Sequence, residues 1–161
     1  NSSAERENGR GDSSYVWDLM LETGRRPFAF ATDDCHSPGF DIGDAWTIVR
    51  ASERSEPAVL DALRNGHTYA SAGPSITAME IDGGAVEMRC SPAGSVNLVS
   101  RYETGWAVRS DHRNRQENAW VLERDDAGLV TRARFEPPME LPYRRLVVED
   151  AQGRKAWTNA F

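Results

Sequence analysis

The sequence predicts a short α/β segment followed by an antiparallel β-sandwich, α+β and strand-rich as a whole. Two observations carry this. Up to residue 74, apolar residues recur at helical spacing in two stretches set between short apolar runs, the alternation of an α/β layer. From Ser75 onward the period drops to two and turn signals recur about every ten residues with no helical stretch, the pattern of a small sandwich. The cut falls near residue 74. It gives an arm over 1–14, an α/β portion over 15–74 and a β-domain over 75–161.

Residues 1–14 are polar and glycine-bearing and read as a loop or flexible arm; the embedded Arg10-Gly11-Asp12 is a tripeptide that recurs by chance. A helix follows, capped by Ser13 or Ser14, with Val16, Trp17, Met20 and Leu21 on one face. Gly24 supplies a left-handed stop, and Arg25 and Arg26 stand where the negative helix end favours cations. Pro27 opens an apolar strand over 28–32, and 45–51 reads as a second strand. Ser55 caps another helix with Pro57 in its first turn, Val59, Leu60 and Leu63 as its apolar face and Gly66 at its end. A third strand over 66–71 closes at Gly73-Pro74.

In the β-domain, Val86, Met88 and Cys90 alternate with Glu87 and Arg89 after the hairpin signal Asp82-Gly83. Val96 with Leu98, Trp106 with Val108, and Trp120 with Leu122 mark further strands. Leu129, Thr131, Ala133 and Phe135 alternate after the turn at 125–128. Leu146 with Val148, and Ala156-Trp157, mark the last two strands.

Of the 161 residues, 39% are hydrophobic and 27% charged, and no apolar run is long enough to span a bilayer, so no membrane is expected. The net charge of −6, without a basic cluster, argues against nucleic acid as a partner. Two cysteines, Cys35 and Cys90, do not make a disulfide framework, which fits a reduced, cytoplasmic setting.

The chemistry concentrates in Phe28-Ala29-Phe30-Ala31-Thr32-Asp33-Asp34-Cys35-His36, where an apolar run ends in two carboxylates and an imidazole. In extended backbone, residues i and i+2 point to one side, so Asp34 and His36 can reach one cation. A carboxylate oxygen with an imidazole nitrogen suits Zn, Mn or Fe. The alternative is that Asp33 and Asp34 are turn residues following a strand. Asp41 and Asp44 read as loop-formers, and Tyr69 and Ser71 as strand residues that could also line a pocket.

Four stretches in order carry a resemblance: Trp17 to Arg26, Ala31-Thr32-Asp33-Asp34-Cys35-His36, Ala62 to Pro74, and Arg145 to Asp150 with Gly153 to Asn159. Together they resemble the C-terminal part of the polymerase and histidinol phosphatase (PHP) superfamily, in its branch of metal-dependent phosphoesterases and amidohydrolase-like enzymes with an appended β-domain. The α/β portion is then similar to the end of a PHP-type β/α barrel. The chain departs from the family at His67-Thr68, where an Arg and an aromatic are common, and at Ala160, where Pro is usual.

The resemblance implies that Asp34 and His36 are metal ligands for Zn, Mn or Fe. Asp34 would serve as the catalytic carboxylate, bridging two metals or taking a proton from a metal-activated water. Asp33 would be the outer-shell partner, or else a solvated turn residue. The implied substrate is a small phosphoester, amide or carbamate. The family's His-x-His pair, further histidines and Glu have no counterpart here, where His36, His67 and His112 are the three histidines. The chain is therefore expected to be the closing part of a catalytic domain, to partner with the rest of it, and to bind metal weakly and hydrolyse nothing by itself. A second reading makes the β-domain a non-catalytic module for a sugar or another protein. Trp106, Trp120 or Trp157 exposed on one sheet face would favour it, and buried ones would favour plain core.

Overall fold

The computed structural model of the chain describes residues 1–102, 104–111 and 116–161; His112 lies outside the described residues. Among the described residues there are three helices, α1 (Ser2–Asn8), α2 (Ser14–Glu22) and α3 (Glu56–Arg64). The described residues also form ten strands: β1 (Trp46–Val49), β2 (Thr68–Ser71), β3 (Ile76–Asp82), β4 (Ala85–Ala93), β5 (Ser95–Val99), β6 (Gly105–Arg109), β7 (Ala119–Arg124), β8 (Val130–Phe135), β9 (Arg145–Glu149) and β10 (Lys155–Thr158). The strands form two antiparallel sheets, of order β1-β2-β10-β9-β5-β6 and β3-β4-β8-β7. The protein is α+β and strand-rich, as its periodicities predict.

The alternation read from the sequence sets the core. Val86, Met88 and Cys90 of β4, Val96 and Leu98 of β5, Ala133 and Phe135 of β8, and Leu146 and Val148 of β9 are buried in one cluster drawn from both sheets. On β8 the inward residue near the turn is Val130, not Leu129 or Thr131. A register shift between Arg89 and Ala93 on the paired strand β4 changes the phase of the pleat there. The outer face of the smaller sheet is charged. Arg89 and Arg132 are direct cross-strand neighbours, a like-charge opposition that costs stability. Glu123 of β7 resolves it by bonding Arg89 at 2.7 Å and Arg132 at 2.9 Å.

Three features differ from expectation. Residues 2–8, assigned to an arm, form α1, whose first four N–H groups are all satisfied: Ser2 and Ser3 donate to the Thr32 and Asp33 carbonyls, Ala4 to Asn1 Oδ1 and Glu5 to the Asn1 carbonyl. The apolar run 28–32 pairs with no strand among the described residues. Side chains hold its backbone instead: Ala29 N–H donates to Asn159 Oδ1, Ala31 N–H to Thr47 Oγ1, and Thr47 Oγ1 in turn donates to the Ala31 carbonyl. Finally, β1 and β2 are antiparallel, and β2 pairs with β10, so hydrogen bonding is continuous across residue 74. Their connection through α3 is compact. Ser55 Oγ accepts from Ala58 N–H, and Gly66, at φ 67°, ends the helix with the Phe28 ring against its Cα.

Helix α2 is tied to the larger sheet by a salt bridge. Asp18 receives Arg145 Nε at 2.8 Å and Nη2 at 2.6 Å, while the guanidinium lies 5.0 Å from the Trp17 ring. Tyr143, fully buried, donates its hydroxyl to Asp18, and its pKa is pushed up to about 12 by burial and by that carboxylate. Arg145 is buried, and its Nη1 has no hydrogen-bond partner among the described residues. A buried guanidinium with one idle nitrogen tolerates loss of its carboxylate poorly. Asp18→Ala is expected to lower stability by about 3 kcal/mol in urea unfolding, and Arg145→Met, which removes the buried charge, by clearly less. Equal losses for both would contradict the uncompensated-charge explanation.

A carboxylate-braced loop beside an apolar cleft

The loop from Asp33 to Ala45 is closed by one side chain. Asp33 Oδ2 accepts the Gly43 N–H at 2.7 Å, and Oδ1 accepts those of Asp44 at 2.8 Å and Ala45 at 2.7 Å. Ser2 Oγ adds a contact to Oδ1 at 3.3 Å. The N–H groups of Gly43 and Ala45 hold the Asp33 carboxyl below its ordinary range. A second carboxylate folds the tip: buried Asp41 accepts the N–H groups of His36 at 2.7 Å and Ser37 at 2.8 Å, with Cys35 Sγ at 3.0 Å. These donors lower the Asp41 pKa to about 2, and the same contact pushes the Cys35 thiol up. Asp44 pairs with Arg6 of α1, whose guanidinium also lies 5.0 Å from the Phe40 ring.

The structure therefore sorts the candidate residues by what they already hold. Asp33 and Asp41 are saturated by loop donors, as is proper to loop-formers. Asp34 and His36 are exposed. Asp34 accepts one hydrogen bond, from Asn1 Nδ2 to Oδ2 at 2.8 Å. The His36 backbone is engaged by Asp41, while its ring has no partner among the described residues. Period-two reasoning does not carry through this step, because Asp34 adopts the left-handed region at φ 54°, which Asp tolerates better than most residues. Among the described residues, no three His, Cys, Asp or Glu side chains are grouped to hold a metal. Asp34 and His36 fit as two donors of the right chemistry, oxygen and nitrogen, and not as a complete ligand set.

A cleft of about 650 Å³ lies next to this loop. Trp17 of α2, Phe28, Phe30 and Trp157 give it apolar walls, and Arg154 and Lys155 supply charge at its edge. Asn1 lines it and connects it to Asp34, whereas Asp34 and His36 themselves lie outside the lining. Phe30 is 54% exposed and Val16 56%, so this wall presents apolar surface to solvent. Tyr69 packs on the core and Ser71 locks the turn to Pro74 with its hydroxyl, so neither lines the cleft.

The three tryptophans singled out from the β-domain do not share a face. Trp106 packs on the core between the sheets, Trp157 packs with Ala70 and Ala31 on the opposite side of the larger sheet, and Trp120 is 42% exposed on the smaller sheet opposite Arg134. Asn1 and Asp41 hold the loop in ways that residue pattern alone does not announce. Asn1 carried a signal, since it is a favoured N-cap residue in front of Ala4-Glu5-Arg6. Asp41 carried none beyond its place in a glycine-bearing loop.

Because the Asp41 pKa is depressed from 3.8 to about 2, the stabilisation it gives the loop is complete above about pH 4 and is lost as the pH falls through 2. Its carboxyl carbon resonance is expected to titrate near 2, and a midpoint near 3.8 would show that the donors to it are not formed. Asp41→Ala is expected to speed alkylation of Cys35, whose thiol loses its acceptor, and an unchanged rate would contradict the contact. No protein-family model, no curated protein and no solved structure matches the chain, so the functional reading rests on the chemistry of the loop and on the resemblance in its motifs.

Proposed function

We propose that the chain is the closing part of a metal-dependent hydrolase of the PHP type, acting on a small phosphoester, amide or carbamate. One observation carries the proposal: of the charged or imidazole side chains in 33–36, the loop's own hydrogen bonding uses Asp33 and leaves Asp34 and His36 outward. A carboxylate and an imidazole kept out of the loop's internal bonding, on a framework closed by two other carboxylates, suit a cation of Zn, Mn or Fe. When bound, that metal supplies an acidified water and polarises the scissile group. Asp34 would offer its second oxygen, Oδ1, either to the cation or to the proton of the attacking water. His36 offers a ring nitrogen. Asp33 acts one step out, holding the backbone from which Asp34 projects.

Two donors leave a divalent cation under-coordinated, so the remaining ligands come from outside this pair. The exposed apolar wall of Val16, Phe28 and Phe30 supports the same view, since it is surface that a neighbouring part of a catalytic domain would cover. The second reading, a β-domain that binds a sugar or another protein, rests on Trp120 alone, because Trp106 and Trp157 are partly buried on other faces.

The test uses the protein as its gene encodes it, loaded with Mn²⁺ or Zn²⁺ and assayed on bis(p-nitrophenyl) phosphate and on amide and carbamate esters of p-nitrophenol and p-nitroaniline. Asp34→Ala and His36→Ala are each expected to reduce kcat/KM by about a hundredfold or more, at least the cost of removing an outer-shell partner. His36→Ala should keep the thermal midpoint, and Asp34→Ala, which places alanine in left-handed backbone, should lower it slightly. Activity that survives both substitutions would overturn the assignment. The 161-residue chain by itself should bind zinc only weakly, and stoichiometric, chelator-resistant zinc in it would contradict the incomplete ligand set.

A further inference from the structure

We infer that the free edge of β3 is a self-association surface, on which a second copy of this chain adds its own β3 antiparallel across a two-fold axis. This goes beyond the hydrolase reading and does not depend on it. Strand β3 ends the smaller sheet and, among the described residues, pairs with β4 alone. Met79 and Ile81 share the core face, since Met79 stands opposite Met88 and Ile81 opposite Val86. Val86 and Met88 are fully buried, yet Met79 is 38% and Ile81 46% exposed. The apolar inner face of the sheet therefore runs one strand further than the core beneath it. The backbone is open at the same two residues. Gly83 and Gly84, at φ 55° and 94°, form the two-residue turn of a tight hairpin, so the flanking Asp82 and Ala85 exchange hydrogen bonds. Alternation then turns the N–H and C=O of Ile81 and Met79 away from β4, toward the free edge.

Features that protect edge strands are sparse here. The strand Ile76–Asp82 holds neither Pro nor Lys, and its bulge lies at the start, between Ile76 and Ala78. Its charges, Glu80 and Asp82, instead select the occupant and its register. Registers that join the outward backbone groups of 79 and 81 to the same groups of a second copy differ in steps of two residues. One sets Glu80 against its own symmetry mate and another sets it against Asp82, both like-charge oppositions. Pairing Met79 with Met79 of the second copy avoids both, because Glu80 then faces Ala78 on either side of the axis. That register also brings charge complementarity. In its own hairpin Glu80 stands opposite Glu87, whereas Ala78 stands opposite Arg89. Across the seam the row reads Arg89, Ala78 and Glu80 of the second copy, a cation and a carboxylate separated by one small side chain. Arg89 already bonds Glu123, so the attraction acts through space rather than through a new hydrogen bond. On the inner face the two Met79 side chains meet, flanked by the two Ile81, and the uncovered apolar surface covers itself.

A seam one strand long buries little area, so the dimer is weak and its dissociation constant lies between micromolar and millimolar. The test uses the protein as its gene encodes it, with sedimentation equilibrium over that concentration range and amide exchange at both ends of it. The parent is expected to dimerise, and the Met79 and Ile81 amides to gain protection as it does. Met79→Lys sets two ammonium groups face to face at the centre of the seam and should weaken the dimer about tenfold or more. Met79 is exposed in the single chain, so the thermal midpoint at low concentration should hold. Register is read by cross-linking with diamide in a Cys35→Ser background. Met79→Cys should give a disulfide-linked dimer, and Glu80→Cys, whose symmetry mate lies two residues off along the strand, should not. A parent that stays monomeric overturns the proposal, as does a dimer indifferent to Met79→Lys. Edge amides protected in a monomer would show that another part of the same polypeptide covers β3, and would equally overturn it. A cross-link from Glu80→Cys in place of Met79→Cys would refute the register.

Discussion

The carboxylate of Asp33 is the constraint on which the site depends. By accepting three backbone N–H groups from residues 43–45, it closes a loop that otherwise has no regular secondary structure to hold it. A carboxylate satisfied by several N–H groups is held ionised, whereas its neighbour Asp34 takes no part in closing the loop and accepts from Asn1 instead. Asp41 repeats the device at the tip, around Ser37-Pro38-Gly39. The aspartates of this loop are thus divided by geometry into those that build it and one that it displays.

That loop is carried by a β-rich body whose two sheets share a core of Val, Leu, Ala and Phe side chains. The connection between body and site runs through three sets of contacts. Thr47 and Asn159 hold the backbone of Ala31 and Ala29, Asp18 anchors α2 to Arg145, and α1 clasps the loop from above. Each is a polar contact of long sequence separation. Damage to β10 should therefore be felt in the run leading into the loop through Asn159, and damage to β9 in α2 through Arg145.

Much of the β-rich part was legible because strands declare themselves through strict alternation and turn residues. Val86-x-Met88-x-Cys90 and Leu146-x-Val148 face the core as their period requires. Helix α3 was legible from Ser55, Pro57 and Gly66, although Leu60, assigned to its buried face, is exposed and Ala62 takes that place. The failures share a cause. Run 28–32 has a strand's composition, but strand pairing is a property of neighbours, and side chains from Thr47 and Asn159 take the partner's role. Helix α1 is too short to show a period, and its stability comes from docking its first N–H groups on Thr32 and Asp33. The pairing of β2 with β10 joins residues about 87 apart, which no local pattern reports.

In the loop, the polar residue types were legible and their division into inward and exposed positions was not. Asp33, Asp34 and His36 stand out by residue type, yet nothing in Thr-Asp-Asp-Cys-His says which aspartate turns inward. The most direct measurement is anomalous diffraction from crystals of the chain soaked in millimolar zinc, collected at the zinc edge. The expected result is a single peak about 2.0–2.2 Å from an Asp34 carboxylate oxygen and a His36 ring nitrogen, with Asp33 still bonded to the 43–45 amides and waters filling the remaining positions. A peak on Asp33, or zinc elsewhere with Asp34 and His36 bare, would contradict the assignment of the outward pair as the metal donors.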